Sequence, residues 1–182
     1  EVTSESACLS NTIATLPGGS GEYPSDGGSC INTDVPLTAG LSLGSFDSSG
    51  SLEVLYDFGG PVAGFQFDVT GLALTGGSGG AAEDAGMDVS AGDATVLGFS
   101  FDNSEIPEGS GVLTILSFSD VTAGTTDLSL GNFGAVTDAQ GNEYTTTASG
   151  SIDHGDPDCS GVYYGDAEED CLGDCEGDAV VD

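Results

Sequence analysis

The chain reads SLEVLYDF at residues 51–58 and GFQFDVT at residues 64–70, with Gly59, Gly60 and Pro61 in the turn between them. Apolar and polar residues alternate in both stretches, which is the period of a β-strand with one buried face. The residues predicted to face inward are Leu52, Val54, Tyr56 and Phe58 in the first stretch and Phe65, Phe67 and Val69 in the second. The short turn predicts that the two strands form a hairpin.

Short strands of the same kind continue to about residue 152, separated by Gly, Asp and Ser turns. They are predicted at residues 41–46, 72–74, 95–101 with Leu97, Phe99 and Phe101 inward, 112–118, 128–133 and 144–152. Residues 112–118 are apolar on both faces, as in a central strand. The chain contains 31 glycines, which disfavour long helices, and residues 76–85 predict a loop or one helical turn. We therefore expect an all-β fold: a jelly-roll or immunoglobulin-like β-sandwich of eight to nine strands with disulfide-stapled terminal extensions.

The charge of the chain is entirely one-sided. It has 31 Asp and Glu residues and no Lys or Arg, which gives a formal net charge of -31. No carboxylate can pair with a Lys or Arg side chain, and self-repulsion opposes compaction. Hard oxygen ligands select hard cations, so we expect Ca²⁺ to neutralise the chain, the alternative being general screening by salt. A chain without basic residues cannot make the phosphate contacts of nucleic-acid binding and is repelled by anionic membranes.

The end of the chain repeats itself every 12 residues. DCSGVYYGDAEE at residues 158–169 is followed by DCLGDCEGDAVV at residues 170–181, and Asp182 opens a third copy. The glycines let the backbone curl so that carboxylates converge, which predicts a calcium-binding tail; the alternative is a disordered acidic tail. The predicted metal ligands are Asp158, Asp166, Asp170, Asp174, Asp178 and Asp182. Such repeats resemble those that follow adhesive modules in secreted environmental bacterial proteins.

All five cysteines lie in the two terminal segments: Cys8, Cys30, Cys159, Cys171 and Cys175. This distribution is typical of disulfides that staple poorly cored extensions in an oxidising compartment. We predict a Cys8–Cys30 disulfide in the first segment, a bridge from Cys159 to Cys171 or Cys175, and one leftover thiol. The apolar stretch NTIATL at residues 11–16 has no sheet of its own and is a candidate donor strand. No apolar run long enough to span a membrane occurs, and we expect a secreted, extracellular protein.

The middle of the chain resembles a cohesin domain, the β-sandwich module of cellulosome scaffold proteins. The likeness rests on GFQFDV at 64–69, GVLTILSF at 111–118, TDLSL at 126–130 and DAQGNE at 138–143, and it covers roughly residues 41–153. The resemblance implies a jelly roll of about nine strands that binds partner modules of the dockerin type. We therefore divide the chain into three parts: an N-terminal extension at 1–38, a cohesin-like sandwich at 39–153 and the repeat tail at 154–182.

The composition disfavours catalysis. Without Lys or Arg, and with a single histidine, most general-base and nucleophile arrangements are unavailable, and a glycosidase pair of carboxylates would lack Trp platforms for sugar rings. We expect no catalytic and no cofactor-binding residues, and we interpret His154 as a solvated linker residue rather than a ligand. Three functions remain: a structural protomer of a calcium-stabilised fibre or surface assembly joined through its terminal extensions, a cohesin-like module that binds a dockerin-type partner, and a carbohydrate-binding adhesin. We favour the first, a homo-oligomer or homopolymer built by strand addition.

Overall fold

A computed structural model describes residues 37–177 of the chain. The predicted Cys8–Cys30 disulfide, the candidate donor strand at 11–16, and Asp178 and Asp182 lie outside these residues. The described part contains eleven strands and one short helix. The strands are β1 (Thr38–Asp47), β2 (Ser51–Phe58), β3 (Gly64–Thr70), β4 (Leu72–Ser78), β5 (Asp88–Gly92), β6 (Thr95–Phe99), β7 (Gly109–Val121), β8 (Thr125–Ser129), β9 (Ala135–Thr137), β10 (Thr145–Ser149) and β11 (Ser151–Asp153), and the helix is α1 (Gly80–Asp84).

The strands form two sheets. The first has the order β10-β1-β2-β7-β4, and the second has the order β11-β8-β3-β6-β5 with β9 also paired to β3. The pairing is antiparallel except between β1 and β10, which run parallel. Twenty-two apolar residues are buried in one cluster to which both sheets contribute. This arrangement confirms the predicted all-β sandwich.

The described residues contain more strands than the eight to nine expected. The stretch 144–152 divides at Gly150 into β10 and β11, which join opposite sheets. Gly150 has a φ of 151°, and a Cβ there would lie 2.9 Å from Leu43 Cγ, so the switch between sheets needs glycine. Strands β5 and β9 were missed because DVSAG and AVT are too short to show alternation.

The inward residues of β2 and β3 are as predicted, apart from one. Leu52, Val54 and Phe58 of β2 are buried, as are all three predicted residues of β3. Tyr56 is only half-buried, although it packs against the core with its ring 4.7 Å from that of Phe58. Strand β7 lies between β2 and β4 and is buried on both faces at Leu113 and Thr114, which confirms the predicted central strand.

The predicted hairpin of β2 and β3 is wrong, because the two strands belong to different sheets. Residues 59–63 cross between the sheets instead of turning within one. Val62 pairs with Ile106, and the Tyr144 hydroxyl donates a 2.6 Å hydrogen bond to the Pro61 carbonyl. A Cβ on Gly60 would lie 2.8 Å from the Tyr144 hydroxyl, so glycine allows this close crossing.

The predicted inward face of residues 95–101 is also wrong. Strand β6 ends at Phe99, and the residues that face the core are Val96 and Gly98. Leu97 is 39% exposed and Phe101 is 82% exposed. The cause lies in the neighbouring strand: the Phe65 ring lies over Gly98, where a Cβ would be only 2.1 Å from Phe65 Cζ. The ring fills the core at this level, and the larger side chains of β6 face outward.

Two further expectations differ in detail. The predicted strand at 128–133 is β8, which ends at Ser129, and Phe133 is 83% exposed in the turn that follows. Helix α1 is the single helical turn allowed for residues 76–85, although β4 extends to Ser78. Within residues 37–177, every buried side-chain nitrogen and oxygen has a hydrogen-bond partner, and no helix there is long and apolar enough to span a bilayer.

Candidate interaction surfaces and the repeat tail

A groove of about 470 Å³ lies on the first sheet. Register places Gly40 of β1 between Thr147 of β10 and Asp57 of β2, and Ser42 between Ser149 and Leu55. Gly40 has no side chain and Ser42 a small one, which leaves space beside Asp57 and Leu55 of β2. Its lining residues are Gly40, Leu41, Ser42, Leu55, Tyr56, Asp57, Ser110, Gly111, Thr147 and Ser149.

One wall of this groove is an edge strand. In the part of the chain that the structure describes, β10 pairs with β1 on one side and with no strand on the other side of the sheet. An edge strand presents unpaired backbone donors and acceptors to an incoming chain. Thr147 and Ser149 are exposed, and Asp57 is the one acidic residue among the lining residues. The groove and the edge together form a surface suited to an extended, uncharged segment.

A second surface lies on the outer face of the other sheet. Leu97, Phe99 and Phe101 follow one another at every second position of β6 and its extension, and we call them the β6 ridge. The rings of Phe99 and Phe101 meet edge to face with centroids 4.9 Å apart. Phe99 lies between Gly64 of β3 and Asp88 of β5, and Gly64 has no side chain to cover it.

The repeat tail is built from a hydrogen-bonded five-residue loop. At residues 158–162 and again at 170–174, the Asp Oδ1 accepts the backbone N–H groups of the second and fourth following residues. The glycine three positions on has a φ of 87° in the first loop and 85° in the second, and its N–H donates to the Asp carbonyl. The tail therefore has a local structure that follows its 12-residue period.

The same loop occurs a third time, inside the sandwich, between β9 and β10. Asp138 Oδ1 accepts the N–H groups of Gln140 and Asn142, and Gly141 has a φ of 81°. Sequence reasoning missed this copy, although DAQGN shares the spacing of aspartate and glycine with DCSGV and DCLGD. We call residues 138–142, 158–162 and 170–174 the Asp loops.

The hydrogen bonds of the Asp loops stabilise the charged form of their carboxylates. Ser160 and the N–H of Val162 lower the pKa of Asp158 to about 2, and the side chain and N–H of Asn142 lower the pKa of Asp138. A carboxylate that accepts several N–H bonds keeps its charge without a cationic partner. Backbone amides thus take the place that Lys and Arg side chains hold in other proteins.

The structure describes four of the six predicted metal ligands. Asp158 and Asp170 direct Oδ1 at backbone N–H groups, whereas Asp166 and Asp174 are exposed. Within residues 37–177, no three His, Cys, Asp or Glu side chains come together as a metal site. The calcium site of the tail stays a prediction.

Of the two predicted partners of Cys159, Cys171 and Cys175, the structure shows Cys175. Cys159 and Cys175 form a disulfide that joins the two copies of the repeat, and Cys171 is a free, exposed thiol. Backbone pairing also holds the two copies together beside the disulfide. Glu169 and Cys175 form an isolated antiparallel β-bridge, and the Glu176 N–H donates a hydrogen bond to the Glu168 carbonyl.

The interpretation of His154 as a solvated linker residue is wrong. Only 7% of His154 is exposed, and its ring lies 4.9 Å from that of Phe46. Its Nε2 is 2.7 Å from Thr126 Oγ1, and its Nδ1 is 2.8 Å from the Tyr164 hydroxyl. Burial lowers the pKa of His154, and nearby Asp153 opposes the shift. His154 therefore ties the first repeat, through Tyr164, to the sandwich.

Fold and surfaces define an all-β sandwich with an exposed sheet edge and a stapled, carboxylate-rich tail. No protein-family model matches the chain, and no curated protein matches it. Among solved structures, the chain is similar to a non-cellulosomal cohesin from the hyperthermophilic archaeon Archaeoglobus fulgidus, with 16% identity and a TM-score of 0.44 over 64% of this chain and 90% of that one. The assignment of the sandwich rests on the two sheets of the chain itself.

Proposed function

We propose that this chain is a secreted, non-enzymatic structural protein, the protomer of a calcium-stabilised extracellular assembly. In this assembly, the N-terminal segment of one copy adds a strand to the β10 edge of the next copy. The observation that supports the proposal is the unpaired edge of β10 with the groove beside it. Strand addition supplies main-chain hydrogen bonds, and the groove receives alternate side chains of the added strand.

The charge distribution favours the N-terminal segment as the occupant. Two copies that each carry a net charge of -31 repel one another, so a contact between them forms best where carboxylates are few. Residues 6–21 contain no charged residue, and they include the candidate donor strand at 11–16. The groove contributes a single carboxylate, that of Asp57.

The net negative charge of the copies is also the reason for proposing calcium. Divalent cations reduce repulsion between copies, and flexible Asp-rich segments provide the oxygen ligands that Ca²⁺ prefers. A head-to-tail contact of this kind need not close on itself, and it then produces filaments.

The test is to obstruct the edge in the full-length chain. Thr147 and Ser149 are exposed on β10, so Thr147→Asp with Ser149→Asp should leave the sandwich folded while placing two charges at the groove. The matched control is Ser117→Asp with Ser119→Asp, which adds the same charge to exposed positions of β7 in the same sheet. We expect light scattering to show large particles for the wild type and the control and small particles for the β10 variant.

Deletion of residues 1–36 should have the same effect as the β10 variant, because it removes the donor rather than the acceptor. Adding the deleted chain to the wild type should shorten the particles, because the deleted chain accepts a strand but donates none. Unchanged particle size in both the deletion and the β10 variant would overturn the proposal.

A further inference from the structure

Cys171 holds a place in the 12-residue repeat that its equivalent in the first copy uses for a disulfide. Counted from the aspartate that opens each copy, Cys159 and Cys171 both stand at position 2, and Cys175 stands at position 6 of the second copy. The Cys159–Cys175 disulfide has a sequence separation of 16 residues, which is one period of 12 plus four positions. It therefore joins position 2 of one copy to position 6 of the next copy. Among residues 37–177, Cys171 is the one cysteine outside a disulfide.

The backbone around position 2 is the same in both copies. Each position-2 cysteine follows the aspartate of an Asp loop, whose Oδ1 accepts the N–H groups at positions 3 and 5. The likeness extends to position 8, where a Cβ on the glycine would lie 2.0 Å from the aspartate Oδ2 in the first copy and 2.1 Å from it in the second. Cys171 therefore lies in the same local frame as Cys159, and it is exposed where the bonded Cys159 is half-buried.

Position 6 holds the residue that contacts whatever precedes a copy. In the second copy it is Cys175, which is bonded to the first copy. In the first copy it is Tyr163, which packs against the core of the sandwich with its ring 6.4 Å from that of His154. Residues 146–157, which precede the first copy, do not carry the repeat, so a cysteine would have no position-2 partner there. Repeat arrays commonly differ in this way where they begin, because each unit contacts only its neighbours.

Backbone contacts support the link between neighbouring copies. The β-bridge between Glu169 and Cys175 joins position 12 of the first copy to position 6 of the second. The hydrogen bond from the Glu176 N–H to the Glu168 carbonyl joins position 7 of the second copy to position 11 of the first. Both contacts use main-chain groups, so they do not depend on the side chains at those positions. By the same rule, position 6 of a further copy falls beside Cys171.

We propose that Cys171 is a disulfide site for a further copy of the repeat, and that the cysteine at position 6 of that copy is its partner. The two thiols form one S–S bond and lose two hydrogen atoms, which a small disulfide such as oxidised glutathione takes up to become two thiols. The tail then forms an array in which every copy is cross-linked to the next. This link uses the tail and not the β10 edge, so it goes beyond the proposed strand addition and holds or fails independently of it.

The first experiment measures which thiol Cys171 selects. The full-length chain is equilibrated in a glutathione redox buffer with a synthetic peptide of residues 170–181 that carries Cys171→Ser, so that the only thiol of the peptide is at position 6. The matched control peptide carries Cys175→Ser and has its only thiol at position 2. A protease that cleaves before aspartate separates Cys171 from Cys175 of the chain, and mass spectrometry of the unreduced fragments identifies the bond.

We expect about tenfold more disulfide between Cys171 and the position-6 peptide than between Cys171 and the control peptide, because one or two backbone hydrogen bonds contribute on this order. A chain that carries Cys171→Ser should form no more adduct with one peptide than with the other. Equal yields from the two peptides with the wild-type chain, or bonds between the Cys171 residues of two chains in place of the peptide adduct, would overturn the proposal.

The second experiment identifies the source of the further copy. Protein isolated from its natural source is alkylated, digested without reduction and searched for the fragment that is bonded to Cys171. We expect a fragment with a cysteine at position 6 of the repeat. Reduction that releases a smaller chain on a gel places this copy on another molecule, an unchanged mass places it on the same polypeptide, and both results support the proposal. Alkylated Cys171, or a bond to a cysteine outside position 6, would overturn it.

Discussion

Asp138, Asp158 and Asp170 show how single carboxylates are accommodated in a chain that has no Lys or Arg. Each accepts two backbone N–H groups from its own Asp loop, in a turn that a glycine with positive φ completes. These donors lie within the loop itself, and Asp158 accepts one further N–H group, that of Ala167. Hydrogen bonds of this kind stabilise a carboxylate without an ion pair.

His154 makes stability depend on pH in the same direction as the carboxylates of Asp138 and Asp158, whose pKa values are also lowered. Its folded pKa lies below the unfolded value, so the unfolded chain binds the proton more readily. The stabilisation by neutral His154 is complete above about pH 6.5 and is lost as the pH falls through the folded pKa. We expect the free energy of unfolding of the wild type, measured with urea, to fall relative to that of His154→Gln between pH 8 and pH 5. A difference that does not change with pH would contradict this assignment.

Gly98 is the residue that fixes the outward face of β6. A Cβ at this position would lie 2.1 Å from the Phe65 ring, so Gly98→Ala forces the ring or the strand to move. We expect a loss of about 1–3 kcal/mol in the free energy of unfolding, the usual cost of overpacking. Gly92→Ala in β5 is the control, because nothing lies within 4 Å of its Cβ position, and we expect a change within about 0.5 kcal/mol. Equal losses in urea denaturation would show that Phe65 does not determine the face.

The alternation of apolar and polar residues predicted most of the strands but not which strands pair with one another. The buried residues of β3 and the central place of β7 follow from the periodicity of the sequence, because the side-chain period of a strand is a local property. The false hairpin and the reversed face of β6 depend on Tyr144 and Phe65, which approach from other strands. Contacts with residues of other strands cannot be predicted from the order of apolar and polar residues within one strand.

The candidate surfaces were less predictable than the strands. The tail period was visible in the sequence and corresponds to repeated Asp loops, and Cys175 was one of two expected partners of Cys159. The β6 ridge could not be found, because its residues have the alternation of a buried strand face. The groove depends on small residues of β1 beside larger ones of β2, an adjacency set by sheet order. The role of His154 depends on Thr126, 28 residues away in sequence.

The tail is the element in which calcium is expected to act. Removing calcium with EGTA should lower the melting temperature by about 5–10 °C, since a site filled at 100 times its Kd adds about 2.7 kcal/mol and 1 kcal/mol moves the Tm of a domain of this size by roughly 2–4 °C. The control is EGTA saturated with calcium at the same ionic strength, followed by calorimetry. A melting temperature that EGTA leaves unchanged would contradict calcium stabilisation.

The whole molecule carries a net charge of -31, which any contact between copies has to overcome. Self-repulsion at this charge keeps copies apart wherever carboxylates are dense. The β10 edge, whose groove contains only the carboxylate of Asp57, is the surface on which association is proposed. If calcium lowers the repulsion that remains, as proposed, assembly and stability should both respond to the same ion.

Sedimentation velocity of the full-length wild-type chain in calcium-containing buffer tests the proposed assembly. We expect a distribution of species far heavier than the 17.9 kDa monomer, which shifts to small species on deletion of residues 1–36. A single monomeric species for the intact wild-type chain, at every protein concentration tested and with calcium present, would contradict it.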